Sequence, residues 1–446
     1  MRAFILAAFS LVLCCPTTAQ YWEDAGIEVD FIGQNFLVVD TTDNTLYCVG
    51  MLVQDWAQPE QSYRYAALHD GEWSLGEPLD HYSATLANYH DTLFMGGAFT
   101  YINGVFTSSV VYRANGEWHS AGNFNAFVTT LKVVDGELYA LGAFTTVNGA
   151  PCKGLAKRNG SGWECMGLDC NTCYAYDIVE YQDRLIVSGT LTWPGYLHIV
   201  QLVDGQWEPV GPNGILGGLS AGGPMVIYHD DLYLGGLIHQ SAGNAGHALM
   251  RWDGTAWHQV GEGLQDASGT GSQSFKAQDL VVHDDKLFVC GGFTYAGHVY
   301  SPRIATWDGE QWCSVGGDFG ESGGCWGMAF YNDTLYISLS SDSLDGQLMH
   351  GVAKFIASDY ENNCSGSVGV SGNESMPEMS IAYLGGDRFV VRGAIRSGPL
   401  VVYGSMGQIV ATRYVQSEAP FELSELATGV YIARLANGAY QRFVKE

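Results

Sequence analysis

Seven times along its 446 residues this chain repeats a leucine followed by an aromatic or aliphatic partner, directly after a polar turn. The pairs are Leu46-Tyr47, Leu93-Phe94, Leu138-Tyr139, Leu185-Ile186, Leu232-Tyr233, Leu287-Phe288 and Leu335-Tyr336. The leucines are spaced by 47, 45, 47, 47, 55 and 48 residues. A second phrase keeps step with the first. It is a tryptophan with a glycine four residues on, at Trp118, Trp163, Trp207, Trp257 and Trp312, and at Trp73 with its glycine one place nearer. A unit recurring at such a period cannot bury its apolar face alone and must stack on its neighbours.

One unit, residues 126–167, shows what is repeated. "FVTTLKVV" and "ELYALGAF" are apolar-rich strands joined by Asp135-Gly136, a tight hairpin signal. "KGLAKRN" and "GWECMG" make a second hairpin across Asn159-Gly160. Four short strands at this period describe one blade of a β-propeller. Seven leucine pairs are followed by only six tryptophan phrases, because the seventh unit ends in "GVAKFIASDY". The missing phrase stands at the other end of the chain, as Trp22-Glu23-Asp24-Ala25-Gly26. The expected fold is therefore all-β, a seven-bladed β-propeller closed by the N-terminal strand. Trp22's strand is expected beside Lys354 and Phe355, which hides sheet edges that an open stack would expose.

The double glycines after the second strand, Gly96-Gly97, Gly235-Gly236 and Gly291-Gly292, remove side chains where backbones crowd. A double glycine, an aromatic and then a tryptophan resembles the kelch class of propeller. The wording of Gly96 to Gly104 and of Trp252 to Gly261 is most similar to bacterial secreted members of that class. The resemblance covers residues 21–357 and implies a fold rather than an activity. Trp252-Asp253 and Trp307-Asp308 look like WD repeats, but each precedes a turn glycine and is read as turn chemistry.

The ends of the chain differ from its middle. Arg2 followed by "AFILAAFSLVLCC" and the small residues before Gln20 read as a signal peptide, residues 1–19. Lipid attachment at Cys14 or Cys15 is disfavoured by the bulk of Leu13. No other stretch is apolar over the roughly 20 residues that a bilayer requires, so no membrane insertion is expected. The propeller is assigned to 20–357, a Ser/Gly/Asn-rich linker to 358–380 and a small C-terminal β-sandwich to 381–446. Residues 381–446 hold seven Lys/Arg and five Asp/Glu, whereas 21–380 hold 12 basic and 42 acidic side chains, a net charge of −30. The tail resembles the type A C-terminal sorting domain of the type IX secretion system of Bacteroidetes. The matching residues are the strand Leu400–Tyr403, the turn at Gly407, Gly429-Val430-Tyr431 and the basic end at Lys445. The Pro-Asn-Pro element that opens such domains is replaced by "IAYLGGDRF". The resemblance implies the type IX secretion machinery as a partner, and a protein released outside the cell or attached to its surface.

Alternation assigns the loops to two faces. Turns between strands one and two and between three and four are short and rich in Asp, Asn and Gly. The connections from strand two to three, and from unit to unit, lie on the opposite face and carry all the length variation. Long loops on a rigid scaffold are where binding concentrates. The ligand-binding candidates there are Trp56, Tyr101, Trp193, Tyr196, His239, His247, Tyr295, His298, Tyr300 and Trp326.

Catalytic signatures are absent from the sequence: no Gly-x-Ser-x-Gly elbow, no His-Glu-x-x-His helix and no phosphate-cradling loop. No metal is assigned, since the histidines lack ligand spacing. Calcium is left open without an Asp-x-Asp-x-Asp-Gly loop to bind it, and no other cofactor is expected. Nucleic acid is a poor partner for so acidic a domain. Export permits disulfides. Those expected are Cys313 with Cys325, and one bridge among Cys152, Cys165, Cys170 and Cys173, where a zinc site is the rival. The expected function is a monomeric surface or secreted binding module for a glycan or a protein. The alternatives are a glycan hydrolase or lyase with acidic residues at the propeller axis, and a structural or adhesive protein.

Overall fold

The computed structural model describes residues 20–27, 30–31, 36–50, 52–53, 63–193, 196–212, 214–216, 223–265, 276–319, 324–340, 343–361, 363–364, 380–385, 387–392, 398–404, 409–416, 419–424, 426–435 and 440–445. Candidates Trp56 and Gly407, and the side chains of Tyr196 and Val430, lie outside the described residues. Among those described the protein is all-β, built of small antiparallel sheets. No helix among them is long and apolar enough to cross a membrane.

Each repeat forms one sheet. Unit 1 comprises Phe36–Asp40, Thr45–Val49, Tyr65–His69 and Glu72–Leu75. Unit 2 is Ser83–Tyr89, Thr92–Gly97, Val110–Ala114 and Glu117–Gly122. Unit 3 is Val128–Val134, Glu137–Gly142, Leu155–Asn159 and Gly162–Cys165. Unit 4 is Thr172–Tyr181, Arg184–Trp193, Tyr196–Val203 and Gln206–Pro209. Unit 5 is Met225–Tyr228, Asp231–Gly235, Leu249–Trp252 and Trp257–Gln259. Unit 6 is Ala277–His283, Lys286–Gly291, Ile304–Trp307 and Trp312–Ser314. Unit 7 takes Cys325–Tyr331, Thr334–Leu339 and Val352–Phe355 from its own repeat. Its fourth strand is Trp22–Asp24, with Trp22 opposite Phe355 and Glu23 opposite Lys354, the pairing that the displaced phrase predicts. The first strand of each unit touches that of the next, and unit 7's touches unit 1's.

The tryptophan phrase has a mechanical meaning. The indole N–H of Trp163 donates to Ala121 O at 2.8 Å, Trp207 to Met166 O at 2.8 Å and Trp257 to Val210 O at 3.2 Å. Each acceptor is the carbonyl just ahead of the preceding phrase's glycine. Trp73 reaches Ala25 O at 2.8 Å, and Trp22 reaches Gly316 O at 3.1 Å. At Gly122, Gly211, Gly261 and Gly317 the glycine makes room for the ring, whereas a Cβ on Gly26 or Gly167 would meet nothing within 4 Å. A Cβ on Gly261 would lie 2.6 Å from Trp312 Nε1, and one on Gly317 would lie 2.6 Å from Trp22 Nε1. Unit 1, whose glycine stands one place early, departs from the rule. There Trp118 donates to Glu77 Oε2 at 3.0 Å and to the Tyr65 hydroxyl at 3.2 Å instead.

The N-terminal strand is also held by two carboxylates. Asp345 Oδ2 accepts the amides of Tyr21 and Trp22, while Asp24 Oδ2 accepts the amide of His350 at 2.6 Å. Trp22 itself is fully buried between Phe355 and Phe319.

Three disulfides are formed: Cys152–Cys165, Cys170–Cys173 and Cys313–Cys364. The expected Cys313–Cys325 bridge is corrected. Cys325 opens the innermost strand of unit 7, whereas Cys313 lies on the outermost strand of unit 6, so a full sheet width separates them. The four cysteines expected to share one bridge form two, which consumes the thiols a zinc site would require. Cys48, Cys290 and Cys325 are buried and unbridged. The expected linker is also shortened at its start. Asn363–Cys364 adds a fifth strand to unit 6, and Tyr360 stacks on Phe355 at 4.6 Å.

Beyond residue 380 a three-stranded and a four-stranded sheet enclose a separate apolar core that includes Phe389, Val391, Leu400, Val402, Ala433 and Phe443. Gly429 opens the third strand of the larger sheet, and the Tyr431 hydroxyl donates to Ala427 O at 2.8 Å. Lys445 is buried, not displayed. Its ammonium donates to Leu423 O and Leu426 O and pairs with Asp387 at 2.8 Å.

Two substitutions test this packing. Trp22→Ala is expected to cost about 3–5 kcal/mol, the range for deleting a buried tryptophan, read as a lower denaturation midpoint. Lys445→Met removes the ammonium from two carbonyls and a carboxylate, and is expected to lower the melting transition of the C-terminal sandwich. An unchanged transition would mean that its three contacts contribute nothing.

Candidate functional site

The first strands repeat a second irregularity that the sequence hides. Each of five carries a one-residue bulge, at Ala84, Thr129, Tyr176, Gln278 and Trp326. A bulge inserts a residue and re-aims its side chain. Four of these five residues line a central cavity of 570 Å³ between the first strands of units 1 to 6. Around them stand Phe36, Tyr82, Tyr174, Lys132, Lys276 and Asp177, with Asp279 deeper in the wall. That volume falls within the range of small-molecule sites.

After four of the five bulges the following residue hooks the next unit. Thr85 accepts the amide of Leu131 at 3.0 Å, and Thr130 donates to Tyr176 O at 2.6 Å. Asp177 Oδ2 accepts the amide of Met225 at 2.7 Å, and Asp279 Oδ2 accepts that of Met328 at 2.8 Å. The other oxygen of each aspartate also has a partner. Asp177 Oδ1 takes Lys132 Nζ at 2.7 Å and the amide of Ile178, and Asp279 Oδ1 takes the amide of Leu280. The two carboxylates therefore join neighbouring sheets.

The electrostatics follow from enclosure. Burial pushes the Asp279 carboxyl up to about 7 and outweighs the two amide bonds that favour its charged form. Burial depresses the Lys276 ammonium and raises the Tyr174 and Tyr82 phenols. Tyr174 and Tyr176 lie with ring centroids 4.7 Å apart, and Phe127 meets Tyr174 edge-on at 5.3 Å.

The loop candidates are placed elsewhere, and the structure gathers them only in pairs. Tyr101 sits on a small hairpin, 45% exposed and edge-on to Phe106 at 5.7 Å. Tyr295 and Tyr300 face one another across the corresponding hairpin of unit 6, with centroids 5.5 Å apart. His239 and His247 lie 5.7 Å apart in the connection of unit 5. His298 pairs with Glu262 at 2.6 Å, while Trp193 packs half-buried against the unit 3–unit 4 core. Trp326 occupies the bulge position of unit 7 but does not line the cavity. The cavity residues Tyr82, Tyr174, Tyr176, Lys132, Lys276 and Gln278 escaped the sequence reading. Aligning the repeats at the start of the first strand would have exposed them, because chemically unlike residues share one structural position there.

No protein-family model and no curated protein matches this sequence. Several solved structures are distantly similar over most of this chain. PorZ, a bacterial surface component of the type IX secretion system of Porphyromonas gingivalis, is 11% identical with a TM-score of 0.37, over 93% of this chain and 66% of its own. The extracellular domain of BT3049 from B. thetaiotaomicron is 10% identical, TM-score 0.45, over 95% of this chain and 53% of its own. YjhT is 14% identical, TM-score 0.32, over 76% of this chain and 98% of its own. The chain thus spans between half and two thirds of the length of the first two.

Asp279 generates a pH prediction. Its folded pKa of about 7 stands above the unfolded value near 3.8. The stability it contributes is therefore complete below about pH 4 and is lost as pH rises through 7. The difference in melting temperature between wild type and Asp279→Asn should be largest near pH 4–5 and shrink by pH 8. A difference that widens toward pH 8 would contradict it.

Proposed function

We propose that this chain is an exported, surface-displayed binding module: a seven-bladed, kelch-like β-propeller followed by a type IX sorting domain. Its ligand is a glycan, held in the central cavity and by the loop face around its mouth. Support for the propeller comes from the cyclic order of contacts between first strands and from the indole bonds of Trp22 and Trp73, which tie the N-terminal strand to units 6 and 1. Support for export comes from the leader-like segment before Gln20, the three disulfides and the resemblance of the tail.

The observation that carries the binding reading is the cavity wall. Three tyrosines offer flat apolar faces and hydroxyl edges, a combination suited to stacking a sugar ring while hydrogen-bonding its rim. The glycan-hydrolase alternative needs a free acid–base carboxylate pair flanking the substrate. Asp177 and Asp279 instead have every carboxylate oxygen bound to a backbone amide. A cavity of this size and polarity also favours ligand recognition over a purely structural role.

The test is a glycan-array screen of the mature chain beside a hydrolysis assay on the same glycans. Binding without turnover is expected, and Tyr174→Ala should weaken the best ligand by about tenfold or more, which is about 1.4 kcal/mol. Turnover would move the protein to the enzyme class. Failure to bind any glycan would remove the reading altogether.

A further inference from the structure

We propose that the central cavity selects a saccharide carrying an anionic group, carboxylate or sulfate, with the Lys276 ammonium meeting that group and Tyr82, Tyr174 and Tyr176 meeting the ring. This rests on the glycan-binding reading above and deepens it.

The first support is positional. In units 2, 3, 6 and 7 the residue just before the first strand presents its carbonyl to the end of the second strand. Tyr82 O accepts from Ala98, Phe127 O from Ala143, Lys276 O from Gly292 and Gly324 O from Ser340. Tyr174 O lies in the same relation to Gly189, where an added Cβ would meet it at 2.2 Å. Five equivalent positions thus hold three aromatics, a lysine and a glycine. The architecture accepts an aromatic here, which would bury more apolar area without a desolvation penalty. Packing therefore does not account for the lysine.

The second support is charge. Residues 21–380 contain 12 basic side chains against 42 acidic ones, yet two lysines line this one cavity. Lys132 is neutralised by Asp177 at 2.7 Å. Lys276 makes no ion pair among the described residues, although Asp279 is three positions along the same strand. The oxygens of Asp279 are turned to the amides of Leu280 and Met328. An enclosed ammonium without a counter-charge is poorly compensated, and a ligand anion supplies what the fold withholds. The tyrosines beside it define the remainder of the ligand as a ring with hydroxyls.

The experiment is calorimetric titration of the mature full-length chain with four probes: trigalacturonate, a sulfated galactotriose, neutral galactotriose and triglutamate. One of the two anionic saccharides is expected to bind at least tenfold tighter than neutral galactotriose, and which of them does so identifies the group. Lys276→Met should abolish that preference, and Lys276→Arg should restore part of it. If the Met variant does not fold, the wild type still decides, because anionic binding must weaken with added NaCl while neutral binding does not. Equal affinity for neutral and anionic sugars would overturn this inference and leave the glycan reading standing. Preferential binding of triglutamate would overturn it in favour of a peptide ligand. Binding of no saccharide at all would overturn both.

Discussion

The indole-to-carbonyl bond between successive repeats is the constraint on which the rest depends. A four-stranded sheet of this size has too little apolar surface to stand alone. Trp22, Trp73, Trp163, Trp207 and Trp257 each span the gap to the preceding sheet with one directed indole-to-carbonyl bond, whereas Trp118 turns to Glu77 and Tyr65. At Gly122, Gly211, Gly261 and Gly317 the glycine leaves the space that the ring takes. At Gly261 and Gly317 a methyl group would collide with the next indole. Tryptophan and glycine are thus two halves of one contact made between neighbouring repeats. That is why they recur together, and why Trp22 had to be found at the opposite end of the chain from the unit it completes.

Nearer the centre the problem changes from covering surface to ordering backbone. Seven first strands converge where there is little room, and a regular strand would send alternate side chains into the same space. In five of the strands a bulge relieves this by admitting one extra residue, and in four of them the following residue uses its side chain to bind the neighbouring unit. Threonine serves where the strands are close, as at Thr85 and Thr130. Aspartate serves where the acceptor must satisfy amides on two sheets, as at Asp177 and Asp279. Charged groups at the centre of such a fold are therefore not by themselves a sign of catalysis. What matters is whether they already hold the fold together, and every oxygen of Asp177 and Asp279 accepts a backbone amide.

Legibility follows the same division. The repeat, the number of units and the strand that completes the seventh could be read directly, since Leu-aromatic pairs and Trp-Gly phrases report contacts made identically in every unit. The site could not. Tyr101, Tyr295 and His298 were conspicuous because they stand in irregular loops, yet each is satisfied within its own hairpin or connection. Tyr174 and Tyr176 sit inside, and Lys276 just before, first strands whose alternation looked ordinary, and the bulge re-aims Tyr176. A bulge changes facing by a single residue and leaves no mark in composition. The disulfides failed for a related reason. Cys313 and Cys325 are close along the chain but lie at opposite edges of adjacent sheets, while Cys364, 51 residues away from Cys313, returns to its side.

That return bears on how the cavity is kept accessible. After Phe355 the chain passes beneath units 7 and 6 on the side of the short turns. The Tyr360 hydroxyl donates to Asp333 O at that turn, and Glu361 pairs with Lys286 at the turn of unit 6. The Cys313–Cys364 bridge then fixes the segment to the outer edge of unit 6. Both strand ends that meet in unit 7 are thereby tied down away from the cavity mouth, the N-terminal one by Asp345 and the C-terminal one by this covalent clasp. A sheet completed by a noncovalent strand from the far end of the chain must resist peeling at that strand. The Cys313–Cys364 clasp supplies that reinforcement on the side of the short turns.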